Sequence, residues 1–128
     1  MRLLLDTHAF LWAIAEEERL SPRVRDLLED LDNDVLVSLA SIWEIAIKAG
    51  LGHLDVPDDL EGFIAKQLSR TGFSLLPIEF RHVVSVRGLP THHRDPFDRL
   101  LIAQSQIERI PVVSVDARFN VYGINIVW

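Results

Sequence analysis

Short apolar runs alternate with longer amphipathic stretches along this chain. Five runs are rich in aliphatic or β-branched residues and show no polar alternation: residues 2–5, 35–37, 73–78, 111–115 and 124–127. Such runs are typical of strands buried on both faces of a parallel sheet, because helices cover its two sides. The pattern therefore predicts a central parallel sheet.

The stretches between these strands have helical periodicity. A serine–proline pair at residues 21–22 is a helix start, and the apolar positions after it have i, i+3, i+4, i+7 spacing: Val24, Leu27, Leu28 and Leu31. Further helices are predicted at residues 10–14, 40–49, 58–71, 80–86 and 95–108, with a turn or short helix near 118–119. Strands that alternate with helices predict an α/β fold, a three-layer α/β/α domain with right-handed crossovers. No repeat or linker divides residues 1–128, so we expect one domain.

Composition excludes several classes of protein. The chain has 128 residues and no cysteine. Disulfides, thiol catalysis and cysteine-ligated zinc are therefore excluded, and we expect a cytoplasmic protein. No uninterrupted apolar run approaches the ~18 residues of a membrane span, so we expect a soluble, unprocessed chain without a membrane partner.

Two of the predicted strands are followed by aspartate. Asp6 ends the first run, and Asp116 follows the fourth. The carboxyl ends of parallel strands share one edge of a sheet, and ligands of open α/β sheets bind at that edge. Asp6 and Asp116 are therefore candidates for a single acidic site.

Three more acids have both a structural and a functional interpretation. Glu44 lies in a nearly all-apolar predicted helix, where a buried carboxylate needs a partner, and Lys48 at i+4 offers an ion pair worth about 0.2–0.5 kcal/mol. Asp95 precedes a proline and is a good N-cap, and Asp98 three residues later completes a capping-box pattern. Taken singly, each of these acids is explained by local structure.

Taken together, the acids indicate a metal site. At ~5 Å and an effective dielectric of ~20, each pair of ionised carboxylates costs roughly 3 kcal/mol. This repulsion would oppose the folding of a cluster of four acids: Asp6, Glu44, Asp98 and Asp116. Either some of them are protonated or a divalent cation binds, and oxygen ligands select Mg²⁺ or Mn²⁺. Such an ion, beside arginines that hold phosphate, suits phosphodiester hydrolysis.

The distribution of charge favours a nucleic-acid partner, although the total does not. The formal net charge of −6 taken alone argues against nucleic acid. The segment from Arg81 to Arg99, however, is locally basic, because it contains four arginines and three histidines but only two aspartates. We expect Arg94 or Arg99 to contact phosphate.

Thr7 and the two adjacent histidines have open assignments. The Thr7 hydroxyl either caps a helix or orients a carboxylate or a water at the acidic site, where it counts as a candidate substrate-binding group. Zinc is not expected at His92 and His93, because adjacent histidines point apart and no further histidine has metal spacing.

Four motifs follow one another along the chain. They are residues 6–12 (DTHAFLW), 43–48 (WEIAIK), 93–104 (HRDPFDRLLIAQ) and 114–116 (SVD). In this order they resemble the motifs of PIN domains, and most closely those of VapC-type toxins of bacterial toxin–antitoxin pairs. The resemblance covers the whole chain. It departs from the pattern only at Ser114, where family members often have threonine and a hydroxyl is kept.

The resemblance implies a PIN-like fold and a metal-dependent endoribonuclease. Four acids would hold Mg²⁺ or Mn²⁺, with Asp95 as a helix cap and a candidate extra ligand: Asp6, Glu44, Asp98 and Asp116. It also implies an RNA substrate, a homodimer and a small antitoxin. An apolar segment of that antitoxin would cover the acidic cleft and carry a basic side chain to the metal site.

Three alternatives stay open at this point. The first is a housekeeping RNA-processing nuclease with the same chemistry. The second is a phosphoaspartate enzyme or receiver built on Asp6, although one such family would need an acid where His8 stands. The third is a protein-binding module without catalysis, which would show no metal-dependent cleavage and would tolerate Asp6→Asn.

Overall fold

The computed structural model describes all residues, Met1–Trp128, and contains one five-stranded parallel sheet. The strands are β1 (Arg2–Leu5), β2 (Asp34–Ser38), β3 (Ser74–Leu76), β4 (Val112–Val113) and β5 (Ile126–Val127). Their order across the sheet is β3-β2-β1-β4-β5, and every neighbouring pair is parallel. The first strand therefore lies at the centre, so that its carboxyl end is flanked by two other strand ends.

Six α-helices cover the two faces of the sheet. They are α1 (Thr7–Ala15), α2 (Pro22–Glu29), α3 (Leu39–Gly50), α4 (Leu60–Thr71), α5 (Phe80–Ser85) and α6 (Pro96–Glu108). Short 3₁₀ segments lie at Glu17–Arg19, Val86–Gly88 and Ala117–Tyr122. None of these helices combines the length and the apolar character that crossing a bilayer requires.

The central strand sends alternate side chains to two separate cores. Leu3 and Leu5 pack on one face with residues of α1, α2, α3 and α4, whereas Leu4 packs on the other face with residues of α6 and the last 3₁₀ segment. All three leucines are completely buried. This arrangement confirms the predicted three-layer α/β/α fold, because a strand without polar alternation needs apolar cover on both sides.

The predicted helix boundaries agree with the structure where a capping residue defines them. Ser21 caps α2, Asp59 caps α4, and Asp95 caps α6, each through its side-chain oxygen. Gly72 ends α4 in the left-handed conformation, with φ 78°. The segment near residues 118–119 is the 3₁₀ helix Ala117–Tyr122.

The predicted extension of α2 to Leu31 is wrong. The helix ends at Glu29, and Leu31 is 99% exposed in the turn that follows. That turn has its own polar support, because the Asn33 side chain donates to the Leu27 carbonyl at 2.9 Å. Hydrogen bonds of the turn therefore end the helix at Glu29, although the helical spacing of apolar residues continues to Leu31. The predicted strands at 73–78, 111–115 and 124–127 are also longer than β3, β4 and β5.

Candidate metal-dependent active site

Asp6 lies at the carboxyl end of the central strand. Its backbone N–H donates to Val113 O on β4 at 3.1 Å, and its carboxylate caps α1 by accepting from the Ala9 N–H at 2.8 Å. The residue is only 7% exposed. Burial raises the pKa of the Asp6 carboxyl, and hydrogen bonds from Ser114 and Ala9 act in the opposite direction.

Glu44 faces the same edge from the second turn of α3. It is buried, and one carboxylate oxygen accepts a 2.6 Å hydrogen bond from the Thr7 hydroxyl. The other oxygen lies 2.7 Å from Lys48 Nζ, so the predicted i,i+4 ion pair is present. The hydrogen bond to Glu44 is the main cause that raises the pKa of Lys48. The structural and functional interpretations of Glu44 are therefore compatible.

Asp98 lies in the first turn of α6. Asp95 caps this helix by accepting from the N–H groups of Phe97 at 2.8 Å and of Asp98 at 3.1 Å. Burial and then the negative charges of neighbouring carboxylates raise the pKa of Asp98 to about 7; these neighbours, in decreasing order, are Asp95, Glu44, Asp6 and Asp116. The acids that the sequence predicts to form one site are therefore brought together around Asp98. Whether they hold a metal remains a prediction.

Asp116 completes the edge from the end of β4. It caps the 3₁₀ helix Ala117–Tyr122, and its carboxylate is clasped by Arg118, with Nε 3.0 and 3.1 Å from the two oxygens and Nη2 2.7 Å from Oδ2. Arg118 therefore lowers the pKa of Asp116 to about 2. The Ser114 hydroxyl accepts from the Asp116 N–H at 3.0 Å, which fixes the turn that follows the strand.

His93 also belongs to this region, and the sequence interpretation gave it no place there. Its side chain is 2% exposed, and Nε2 lies 3.8 Å from Asp116 Oδ2. Three potential ligand atoms lie within 4.8 Å of one another, one each from His93, Asp98 and Asp116. The only sequence signal for His93 is its position directly before the Arg94–Asp95 pair, and that signal does not specify a buried ring.

The three residues predicted to bind substrate have different surroundings. The Thr7 hydroxyl binds Glu44 instead of capping α1, because Asp6 is the cap. Arg94 is exposed and makes no ion pair. Arg99 instead donates to four backbone carbonyls of the preceding segment, at distances from 2.8 to 3.3 Å: Pro90, His93, Val86 and Leu89. The Arg99 guanidinium therefore stabilises the fold and is not available to bind substrate, contrary to the prediction from sequence.

A second group of potential ligands lies at the other end of α6. Glu79, His82 and Glu108 have ligand atoms within 4.8 Å of one another. His82 Nε2 lies 2.9 Å from Glu108, and its Nδ1 accepts from the Glu79 N–H at 2.9 Å. Arg81 Nη2 also donates to Glu108 at 2.6 Å. Because these polar atoms already have partners, this group is a structural network of the α5–α6 contact.

The acidic edge fits a hard divalent cation. Its four clustered acids offer only oxygen ligands, as Mg²⁺ and Mn²⁺ prefer. Lys48 and Arg118 pair with Glu44 and Asp116, and the main charges that act on Asp98 are the negative charges of four neighbouring carboxylates. A partly buried carboxylate that is crowded by like charges is unfavourable, so the donor set needs further positive charge or protonation.

The sheet order, the helices on both faces and the acidic edge define a protein class. The chain belongs to the PIN domain family, whose profile matches residues 3–125. The ribonuclease VapC16 of Mycobacterium tuberculosis is 35% identical over 64 residues, a region that spans 50% of this chain and 45% of that relative. The chain thus matches less than half of that relative's length.

Solved structures share the fold at lower identity. VapBC2 from Rickettsia felis, bound to a DNA fragment from their promoter, aligns with a TM-score of 0.73 and 15% identity over 99% of this chain and 98% of that chain. DNA-bound VapBC from Salmonella typhimurium aligns with a TM-score of 0.70 and 16% identity over 99% and 97%. FitAcB from Neisseria gonorrhoeae aligns with a TM-score of 0.59 and 20% identity over 97% and 95%. At these identities the likeness concerns the fold.

Proposed function

We propose that this protein is a divalent-metal-dependent endoribonuclease and the toxin of a toxin–antitoxin pair. One observation carries the catalytic part of this proposal: Asp6, Glu44 and Asp116 approach Asp98 from three other segments of the chain, and burial together with the neighbouring carboxylates raises the pKa of Asp98 to about 7. Such a cluster is stable at neutral pH when a cation shares its oxygens. The toxin part rests on the resemblance to VapC proteins, since a ribonuclease VapC16 is 35% identical to this chain over 64 residues.

In this proposal, different residues hold the ion, orient its ligands and bind RNA. The ion is held by four acids, with Asp95 as a candidate extra ligand: Asp6, Glu44, Asp98 and Asp116. When bound there, Mg²⁺ or Mn²⁺ supplies positive charge for phosphate oxygens and lowers the pKa of a water. Thr7 fixes one oxygen of Glu44. Arg94 and Arg118 are exposed beside the acids and provide positive charge for the RNA backbone.

The proposed protein partners are an antitoxin and a second copy of this chain. Apolar side chains with i, i+4 spacing are exposed along α3, beside Glu44: Leu39, Trp43, Ile47 and Leu51. We propose that an apolar segment of the antitoxin covers this stripe and the acidic edge. Exposed Phe80, Val83 and Val84 on α5 support dimerisation. RNA as substrate and the absence of cysteine favour action in the cytoplasm.

The proposed activity is tested by cleavage of single-stranded RNA under control of metal. We expect cleavage in Mg²⁺ or Mn²⁺, loss in EDTA and recovery when the ion is restored, because oxygen ligands need a hard cation. Asp6→Asn should abolish cleavage, whereas Asp55→Asn, at an exposed acid outside the four motifs, should not. Cleavage undiminished by chelation would refute the metal mechanism, and an active Asp6→Asn protein would refute the site.

A further inference from the structure

His93 carries the one buried side-chain polar atom of this protein without a hydrogen-bond partner. The side chain is 2% exposed, and that atom is Nε2. Buried polar groups are nearly always satisfied, so an exception calls for a physical explanation. Because Nε2 points towards the acidic site, its partner is expected there.

The contacts of Tyr122 determine which proton His93 carries. The Tyr122 oxygen accepts from the His93 backbone N–H at 2.8 Å and lies 3.2 Å from His93 Nδ1. The structure gives the phenolic proton no other acceptor, so it is donated to Nδ1. An imidazole that accepts at Nδ1 carries its ring proton on Nε2. The unpartnered atom is therefore an N–H donor, and it is not a free lone pair for a metal.

The Nε2–H group is directed at Asp116. The distance to Asp116 Oδ2 is 3.8 Å, about 1 Å beyond a hydrogen bond. Arg118, whose side chain is 70% exposed, holds that same oxygen at 2.7 Å. The His93 ring is fixed by stacking on Phe119, with 5.2 Å between ring centroids and 16° between planes. A rigid buried donor and a solvent-exposed guanidinium thus face one carboxylate oxygen.

We infer that His93 is a positioning residue for Asp116. In the metal-loaded protein, Asp116 turns from Arg118 towards His93, and the Nε2–H group donates to Oδ2. Carboxylate ligands are oriented by such outer hydrogen bonds, whose removal typically weakens metal binding 10–100-fold. The inference rests on the proposed metal site. It assigns His93 to ligand orientation and Tyr122 to the choice of tautomer.

The test measures the affinity of the metal-free protein for Mn²⁺ by calorimetric titration. Glutamine places an amide N–H near the position of Nε2, whereas asparagine reaches only the position of Nδ1 and phenylalanine keeps only the stacking. We expect His93→Gln to bind Mn²⁺ within about 3-fold of wild type, and His93→Asn and His93→Phe to bind at least about 10-fold more weakly. His53→Asn, at an exposed histidine between α3 and α4, should leave the affinity unchanged.

A second measurement reads the tautomer directly. Long-range ¹H–¹⁵N NMR spectra should show the proton of the His93 ring on Nε2 in wild type. A proton on Nδ1 would overturn the inference. Tyr122→Phe, a milder change than His93→Phe, removes the donor to Nδ1 and should move part of the proton population and weaken Mn²⁺ binding. An unchanged affinity in that variant would also count against it.

The outcomes separate this inference from the proposed function. If wild type binds no Mn²⁺, the proposed metal site fails and His93 has no ligand to position. If wild type binds Mn²⁺ and His93→Asn and His93→Phe bind equally well, only the positioning assignment fails. If His93→Gln binds as weakly as His93→Phe, His93 acts as a direct ligand, which also overturns it.

Discussion

At the residue scale, Asp98 shows how the surroundings of a side chain change its role. The sequence offers a capping box in which Asp98 would return a hydrogen bond to the Asp95 backbone. In the structure Asp95 alone caps the helix, and Asp98 is surrounded by other carboxylates. The first-turn position still favours a negative charge by about 0.3–1 kcal/mol. Repulsion at roughly 3 kcal/mol for each close neighbour exceeds that benefit.

This comparison gives a signed prediction for Asp98→Asn. Without metal at pH 8, the variant should melt roughly 5 °C above wild type, because its neighbours no longer repel a charge. It should nevertheless fail to cleave RNA, and added Mg²⁺ should stabilise wild type more. Thermal unfolding with and without Mg²⁺, beside a cleavage assay, measures each part. Ser21→Ala is the control for loss of a cap outside the acidic cluster, and it should lower stability by about 0.5–2 kcal/mol. A variant that is less stable than wild type without metal and still active would remove Asp98 from the site.

The pKa of Asp98 also predicts how stability changes with pH. A folded-state pKa of about 7, above the ordinary value of 3.8, means that the folded protein binds more protons than the unfolded chain between these limits. The contribution of Asp98 to stability without metal therefore falls as pH rises from about 4 to 7. Asp116, with its pKa lowered to about 2, loses its contribution only below about pH 4. The melting temperature of Asp98→Asn minus that of wild type should thus be small at pH 5 and larger at pH 8. An equal difference at both pH values would show that Asp98 has no raised pKa.

Two arginines that look equivalent in the sequence should behave differently. Arg94 is exposed, so Arg94→Ala should weaken RNA binding and flatten its dependence on salt, because fewer counterions are released. Arg99 donates to four carbonyls, so Arg99→Ala should lower the free energy of unfolding by about 1–3 kcal/mol. Binding measured at several salt concentrations, together with denaturant unfolding, distinguishes them. A reduced salt slope for Arg99→Ala in a fully stable protein would contradict this division.

At the element scale, the sequence predicted what short-range rules determine. Caps and terminators lie within a few residues of the backbone groups that they satisfy, so Ser21, Asp59, Asp95 and Gly72 marked helix ends correctly. The prediction that Leu31 belongs to α2 was wrong because its spacing fits a helix, but the helix ends earlier at a hydrogen-bonded turn. Asp6 and Asp116 could be predicted to lie together because parallel strands share one carboxyl edge. Glu44 and Asp98 lie on helices, and only the order of the four motifs joined them to the set. His93 could not be predicted, since its orientation depends on Tyr122, 29 residues later in the chain.

Ser38 gives a prediction at this scale, because it joins two helices and the sheet. Its hydroxyl caps α3 at the Ala40 N–H, 3.0 Å away, and donates to Gln104 on α6 at 2.5 Å. Ser38→Ala should therefore cost about 2–3 kcal/mol, as a cap is lost and the Gln104 amide loses a buried donor. Ser21→Ala removes a cap without such a second bond and should cost about 1 kcal/mol. Denaturant unfolding of both variants makes the comparison. An equal loss of unfolding free energy in the two variants would mean that the hydrogen bond to Gln104 does not stabilise the contact between α3 and α6.

At the scale of the whole molecule, charge and apolar surface divide the protein into regions. The acidic edge lies where β1 and β4 end, and the apolar stripe of α3 runs beside it. Leu31 lies just before β2 begins, at the opposite edge of the parallel sheet. An antitoxin segment that covers the acids should therefore also contact α3 and leave the region of Leu31 free.

This geometry gives a prediction for co-expression with a small antitoxin encoded next to the gene. The two proteins should purify as a stable complex with suppressed cleavage of RNA.

Leu51→Glu, at a side chain 64% exposed, should weaken the complex at least 10-fold, because a charge would be buried against an apolar segment. It should leave cleavage by the free protein intact, since Leu51 is outside the acidic cluster. Leu31→Glu, at a residue 99% exposed, is the matched control and should change neither property. Affinity measured by competition, beside cleavage of RNA with and without antitoxin, decides the matter. Equal affinity of wild type and Leu51→Glu would exclude the α3 stripe, and two proteins that purify separately would count against the toxin assignment while leaving the nuclease in place.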